Sequence, residues 1–275
     1  MNKIKKIINL LLLAFVSILA FFPLLWMATN SFKTANKIIQ QPLNLFPEVL
    51  DFRNFIGALE KAPFDLYIIN SIITAFAIVV LQLLLGILMG YGLSKFDFKG
   101  KKILFGSILL TYMLPAAATY VPSYVILAKM NLIDTIPGII ISNVVSVFTI
   151  YMVYQTFSSV PKEMIEAAEM DGANNWQILW KVMVPLSKST ILTTALIQFV
   201  IMYNNYMWPS LITNSKKNYL ISVGLNIFFN SKGNFTQNLP MLMAANTISV
   251  LPLLILFLIL KKWFIEGISD SGIKG

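Results

Sequence analysis

Six stretches of the chain contain no Asp, Glu, Lys or Arg and are each long enough to cross a bilayer: residues 7–28, 67–93, 103–128, 136–157, 189–211 and 242–260. A hydrocarbon core about 30 Å thick needs roughly 20 apolar helical residues. In lipid a backbone must satisfy its own hydrogen bonds, so such stretches are confined to helices. The pattern predicts an all-α membrane protein of six transmembrane helices, a single transmembrane domain over residues 1–275. Composition agrees: 57% of residues are hydrophobic, 12% are charged, and mean hydropathy is +0.74. That leaves too little polar surface to cover a water-soluble globule.

The charged residues orient the spans. With the N-terminus inside, 13 of the 21 Lys and Arg fall in inside segments and 8 outside, as the positive-inside bias requires. The bias is sharpest next to helix ends. Lys3, Lys5 and Lys6 have no nearby acid, and Lys95, Lys99, Lys101 and Lys102 have only Asp97. Both termini are expected in the cytoplasm of a bacterial cell, with the first span an uncleaved anchor. A net charge of +9 raises nucleic acid as a partner, but basic clusters beside apolar runs read as membrane orientation.

The chain has no Cys and no His, so it lacks disulfides, thiolate metal sites and the commonest general base. No span carries an ionisable relay, which argues against proton coupling through side chains. A sodium site of backbone carbonyls stays open as an alternative. No G-x-x-x-x-G-K-[ST] loop occurs; Gly267 and Gly272 have the spacing but Ile273 follows. The chain therefore takes no cofactor. If transport is active, ATP and Mg are bound by another subunit.

Residues 158–188 break the charge rule, with Lys162, Lys181 and Lys188 against Glu163, Glu166, Glu169 and Asp171. A helix is expected here, with Ser158 and Ser159 capping its start, Pro161 in its first turn and Gly172 at its end. Ala167, Ala168 and Gly172 would leave a narrow surface that a partner backbone can approach. A second short helix should begin at Trp176. An amphipathic loop helix with a glycine cap explains the same residues without a partner.

Pro161, Glu166-Ala167-Ala168, Asp171-Gly172, Trp176 and Val184-Pro185-Leu186 together resemble the signature loop of the carbohydrate group of ABC importer permeases. The similarity covers essentially the whole chain. Pro23-Leu24-Leu25-Trp26 with Ser31-Phe32-Lys33 resembles the first span and its exit, and Asn70-Ser71 the start of the second. Tyr91-Gly92-Leu93-Ser94-Lys95 with Phe98-Lys99-Gly100-Lys101-Lys102 is similar to the first cytoplasmic loop. Tyr203-Asn204-Asn205-Tyr206-Met207-Trp208-Pro209 resembles the fifth-span motif, with Tyr203 where Trp is usual. The ending Gly272-Ile273-Lys274-Gly275 resembles the tail of the smaller permease of maltose-type transporters.

The resemblance implies a permease subunit of an ATP-driven, binding-protein-dependent sugar importer and no catalysis by this chain. Its implied partners are a second permease, two ATPase subunits and an extracellular solute-binding protein. The implied ATPase-coupling residues are Glu166, Ala167, Ala168, Asp171 and Gly172. Gly272, Lys274 and Gly275 would make a tail contact. Tyr203, Asn204, Asn205, Tyr206 and Trp208 offer ring faces and amides suited to sugar, although an interfacial aromatic belt explains Tyr206 and Trp208 equally. Gly86-x-x-x-Gly90 would let helices pack closely, and Pro115 and Pro122 would bend or merely sit in the third span. A self-contained carrier or channel, or a membrane scaffold, remains an alternative.

Overall fold

The computed structural model describes the backbone of residues 3–229 and 235–272, and side chains of residues 4–229 and 235–262. Within these the chain is helical, with no strand. In chain order the helices are α1 (Lys3–Asn30), α2 (Ala35–Gln40), α3 (Arg53–Lys61), α4 (Phe64–Lys95), α5 (Lys101–Tyr112), α6 (Ala116–Lys129), α7 (Ile136–Ile141) and α8 (Val147–Ser158). They continue with α9 (Lys162–Met170), α10 (Asn175–Ile178), α11 (Val184–Leu186), α12 (Lys188–Tyr203), α13 (Met207–Ile212), α14 (Ile221–Gly224) and α15 (Phe235–Gly272).

Three of these helices, α1, α4 and α15, are continuous, long and apolar enough to cross a membrane, and two bent pairs raise the number to five. The expected single helix over 103–128 is instead α5 and α6, meeting at 97°. Pro115 explains the break: it has no N–H to donate, and its ring pushes Leu114 out of helical backbone. It becomes the residue preceding α6. Pro122 lies inside α6 without ending it. The stretch 136–157 is likewise α7 and α8, separated at 142–146, and Ser146 restarts the helix by accepting a hydrogen bond from the Thr149 N–H at 3.2 Å. The stretch 189–211 divides into α12 and α13. A 77° bend at Ser187 precedes α12.

Contacts divide the chain into two units, Met1–Leu66 with Gly224–Leu251 and Tyr67–Val223 with Pro252–Gly275. In the first, α3 is preceded by Phe52, which stays exposed, and carries the half-buried Phe55. Phe52 and Phe55 pack on Phe32 with centroids 5.2 and 5.1 Å away, while Ile56 and Leu59 remain exposed. The Asn54 amide donates to the carbonyls of Ser31 and Lys33, both at 2.9 Å. The Lys61 ammonium donates to Asn238 Oδ1 at 2.7 Å, and Phe64 stacks on Phe228.

In the second unit, α4 runs along α8. A Cβ built on Gly86 would lie 2.7 Å from Thr149 Cγ2, and one on Gly90 would lie 2.7 Å from Val153 Cγ1. Only glycine permits this approach. In lipid, where helices gain nothing from hydrophobic burial against each other, such close packing is what holds them together. The Gly-x-x-x-Gly spacing thus has a structural use here.

Asp134 ties two connections of the same unit together. Its carboxylate accepts from the N–H groups of Asn214 and Ser215 at 2.9 Å and from the Ser215 hydroxyl, while its own N–H donates to the Ile212 carbonyl at 2.7 Å. Desolvation opposes ionisation, but the bonds from Ser215, Asn214 and Asn218 outweigh it and hold the carboxyl well below its usual range. Asp134 adopts φ +58°, a conformation Asp tolerates better than most residues.

Candidate functional site: a polar cavity and a helical knob

Where the α5–α6 and α7–α8 breaks face α4 and α12, the second unit borders an open cavity of 550 Å³. Helix breaks expose backbone and polar side chains that a continuous span would hide, and such irregularity belongs where it lines a cavity rather than lipid. Thr111 and Tyr112 end α5, Thr119 lies in the first turn of α6, and Asn143 and Ser146 come from the α7–α8 connection; α4 contributes Gln82 and α12 contributes Gln198. No Asp, Glu, Lys or Arg is on its wall.

The two glutamines are buried, 3% and 4% exposed, each between apolar neighbours in its helix. Gln82 Nε2 donates to the Asn143 carbonyl at 2.7 Å, leaving its Oε1 buried without a partner. The Gln198 amide donates to the hydroxyls of Ser146 and Thr149. An unpaired buried acceptor costs about 1–3 kcal/mol, so a site that keeps one invites a donor from elsewhere. Neither glutamine was among the residues expected from sequence. The available signal was an amide inside a charge-free apolar run, at Leu81-Gln82-Leu83 and Ile197-Gln198-Phe199.

The five residues expected on a substrate path are not on this wall, which ends at Met202. Tyr203 and Trp208 are buried, 1% and 5% exposed. Tyr203 stacks on Phe199, and Trp208 stacks on Tyr120 at 5.4 Å while its Nε1 donates to Ser142 Oγ at 2.8 Å. Trp208 therefore positions the α7–α8 break from behind. Asn204 is exposed and its amide closes the end of α12 on the Val200 carbonyl at 2.8 Å. Asn205 is half-buried with its carbonyl accepting from the Ser222 hydroxyl at 2.6 Å, and Tyr206 is exposed. The motif divides by burial, its ring residues at 203 and 208 facing inward.

The polar loop forms a compact knob. Ser158 ends α8 and Ser159 is its C-cap, so neither caps α9 as expected; Pro161 takes that position without a side-chain bond. Glu163 lies in the first turn of α9, where a carboxylate complements the helix dipole. Gly172, at φ +79°, follows the Asp171 C-cap and reverses the chain as glycine does after helices. Asn174 then starts α10 by a reciprocal capping box with Gln177.

A π turn at Leu179–Met183 precedes Pro185, whose missing N–H disturbs the ladder there. Ile178, Leu179 and Met183 pack with Ile87 and Tyr91 of α4 and Val153 and Phe157 of α8, and Ile165 and Ala168 cover this cluster from α9. Glu166, Ala167, Asp171 and Gly172 are exposed, while Ala168 is half-buried. Clefts of 270 and 320 Å³ flank α9, the first bordered by Glu166 and the second by Ala168, Asp171 and Gly172. Of the expected tail contact, Gly272 ends α15, and Lys274 and Gly275 lie outside the described residues.

A multi-pass helical protein with an uncharged polar cavity between broken helices, and a polar helical knob packed on two of them, has the construction of a membrane transport subunit. Residues 82–270 match the family model described as binding-protein-dependent transport system inner membrane component, and the chain belongs to that family. It is a permease subunit of such an importer and not an enzyme.

The arabinooligosaccharides transport system permease protein AraQ of Bacillus subtilis (strain 168) is 29% identical, covering 94% of this chain and 92% of the relative. The sn-glycerol-3-phosphate transport system permease protein UgpE of Yersinia pestis bv. Antiqua (strain Antiqua) is 30% identical, with 92% of each covered. Among solved structures, a chain of a bacterial ABC transporter involved in import of the acidic polysaccharide alginate superposes with TM-score 0.82 at 26% identity, covering 95% of this chain and 97% of that one.

Proposed function

We propose that this chain passes a neutral, hydroxyl-rich carbohydrate, a di- or oligosaccharide, through the bacterial plasma membrane by alternating access powered by separate ATPase subunits. The observation that carries the reading is the 550 Å³ cavity, where three amides and four hydroxyls are set among apolar side chains and no charged side chain lines the wall. Amides exchange hydrogen bonds with sugar hydroxyls in either direction, and a pathway without fixed charge does not trap a neutral cargo. An acidic or phosphorylated cargo calls for a cation, and this wall offers none. Similarity to permeases named for arabinooligosaccharides and for diacetylchitobiose supports the same class; the relatives named for sn-glycerol-3-phosphate and for alginate have anionic cargo, for which a cation would have to come from outside this wall.

In this reading the chain crosses the membrane six times, with α7–α8 taken as a span beside the five candidates, and both termini are cytoplasmic. It pairs with a second permease, sits on two ATPase subunits and receives cargo from an extracellular solute-binding protein. Glu166 and Asp171 are the polar anchors of α9 in an ATPase groove, and Ala167, Ala168 and Gly172 its close-contact surface. Asn204, Asn205 and Tyr206 belong to the path beyond the cavity, Tyr203 and Trp208 to its support; Gly272, Lys274 and Gly275 form a tail contact.

Co-purification with the candidate ATPase, second permease and binding protein, followed by ATP hydrolysis measurements, tests this. Stimulation by a neutral oligosaccharide with its binding protein is expected. Stimulation confined to anionic cargo would overturn the substrate class, and a chain that transports alone would overturn the assembly.

A further inference from the structure

Gln82, Gly86 and Gly90 recur every four residues along one face of α4, and each meets the chain of α7–α8. Gln82 bonds the Asn143 carbonyl, Gly86 abuts Thr149, and Gly90 abuts Val153 with the Tyr154 backbone nitrogen 3.1 Å from a would-be Cβ. At one end of this seam stands the polar cavity. At the other, Lys95 Nζ meets Glu169 Oε1 of α9 at 2.7 Å, with the Lys95 ammonium 5.9 Å from the Tyr91 ring centroid. The Lys95 side chain is 12% exposed, so it is held in place rather than sweeping solvent. Tyr91 also reaches α10, its hydroxyl donating to Asn175 Oδ1 at 3.4 Å.

We propose that α4 and α8 form one rigid rod that carries displacement of α9 to the cavity wall, and that the Lys95–Glu169 pair is the tether fixing α9 to that rod. This rests on the reading of α9 as the ATPase contact. From residue 82 to residue 95 the rod spans about 20 Å at 1.5 Å per residue. Rigid elements transmit a shift only if packing leaves no slack, and the two glycine contacts leave none. The bends at 97° and 77° lie in α5–α6 and before α12, so deformation has other places to occur. An ion pair near the surface adds little to stability; here it fixes direction. Lys95 and Glu169 are positioning residues.

The chain has no cysteine, so spin labels at Ser94→Cys and Lys162→Cys report the α4–α9 distance without background. The tether predicts a narrow distribution, unchanged when the assembled complex binds ATP, and broadened in Lys95→Gln. A wild-type distance that shifts with ATP, or a Lys95→Gln distribution as narrow as wild type, would overturn it. These distances are read in the isolated chain as well, so a failed ATPase assembly sinks the reading of α9 without deciding the tether.

The functional arm compares Lys95→Glu, Glu169→Lys and the double swap. Each single variant should keep ATPase association but lose uptake per ATP hydrolysed by roughly 5-fold or more, the lower end of a typical coupling free energy. The double swap should restore it. Wild-type coupling in both singles, or a double swap no better than the singles, contradicts the pair.

Discussion

Gln82 of α4 and Asn143 of the α7–α8 connection meet amide to carbonyl at 2.7 Å; the contact leaves Gln82 Oε1 buried and unpartnered in a residue that borders the cavity. One residue thus joins helix packing to cargo chemistry. Gln82→Leu removes the bond to Asn143 and the unpaired acceptor together, so abundance should stay near wild type. Uptake should fall about 5- to 150-fold if one or both amide bonds to cargo are lost, at about 1–3 kcal/mol. Gln198→Leu should act in the same direction. Transport assays normalised to membrane abundance decide it; normal uptake in both variants would place the cargo path elsewhere.

The fifth-span motif should separate by burial. Trp208→Phe loses the bond to Ser142 and part of the stacking on Tyr120, a destabilisation of about 1 kcal/mol that thermal unfolding in detergent can register. Its uptake per folded molecule should match wild type. Asn204→Leu, at an exposed position, should leave unfolding nearly unchanged and reduce uptake. Reversal of this pattern would return Trp208 to the path.

The knob can be probed by bulk. Nothing lies within 4 Å of a Cβ on Gly172, so Gly172→Trp has room, although φ +79° adds a backbone cost of about 1 kcal/mol. It should assemble in the membrane yet lose ATPase pull-down. Ala168 packs on the core shared by α4, α8 and α10, so Ala168→Trp should lower abundance as well. Normal pull-down with Gly172→Trp would remove this surface from the contact.

Much of this was legible in the residues. Charge-free runs coincide with the continuous membrane helices α1, α4 and α15 and with the two bent pairs, but not with a candidate span over 136–157, and glycine, proline and acidic residues between 158 and 188 located the knob. Gly86 and Gly90 announced a close approach, but not to which helix. The breaks were harder to read. Apolar runs specify that a stretch belongs in lipid, whereas Pro115, and Ser146 as a new cap, decide whether it stays one helix. Tyr203 and Trp208 looked like cargo residues because an aromatic ring suits a sugar and a helix interface equally; only burial separates the two. Gln82 and Gln198 drew no attention because a single amide carries no spacing.

Asp134 gives a prediction with a pH sign. Its carboxyl is held well below the usual range, so its stabilisation is present above the unfolded value of about 3.9 and is lost as pH falls further. Thermal stability between pH 5 and 8 should not vary through this group. Asp134→Ala should lower stability by about 1–3 kcal/mol at neutral pH. A wild-type melting temperature in that variant would show that the tie between its two connections is dispensable.

Topology follows from labelling single cysteines with an impermeant thiol reagent. In intact cells Asn174→Cys should be shielded and Lys37→Cys labelled, both residues being exposed in the chain. Labelling of Asn174→Cys from outside would invert the orientation. A cysteine at Asn230, also expected outside, lies beyond the described residues.

The most direct measurement is uptake into proteoliposomes holding this chain, the second permease and the ATPase, with binding protein and a radiolabelled neutral oligosaccharide outside and ATP inside. The account predicts accumulation that requires ATP hydrolysis and binding protein, falls with Gln82→Leu, and ignores imposed sodium or proton gradients. Accumulation driven by an ion gradient without ATP would contradict it.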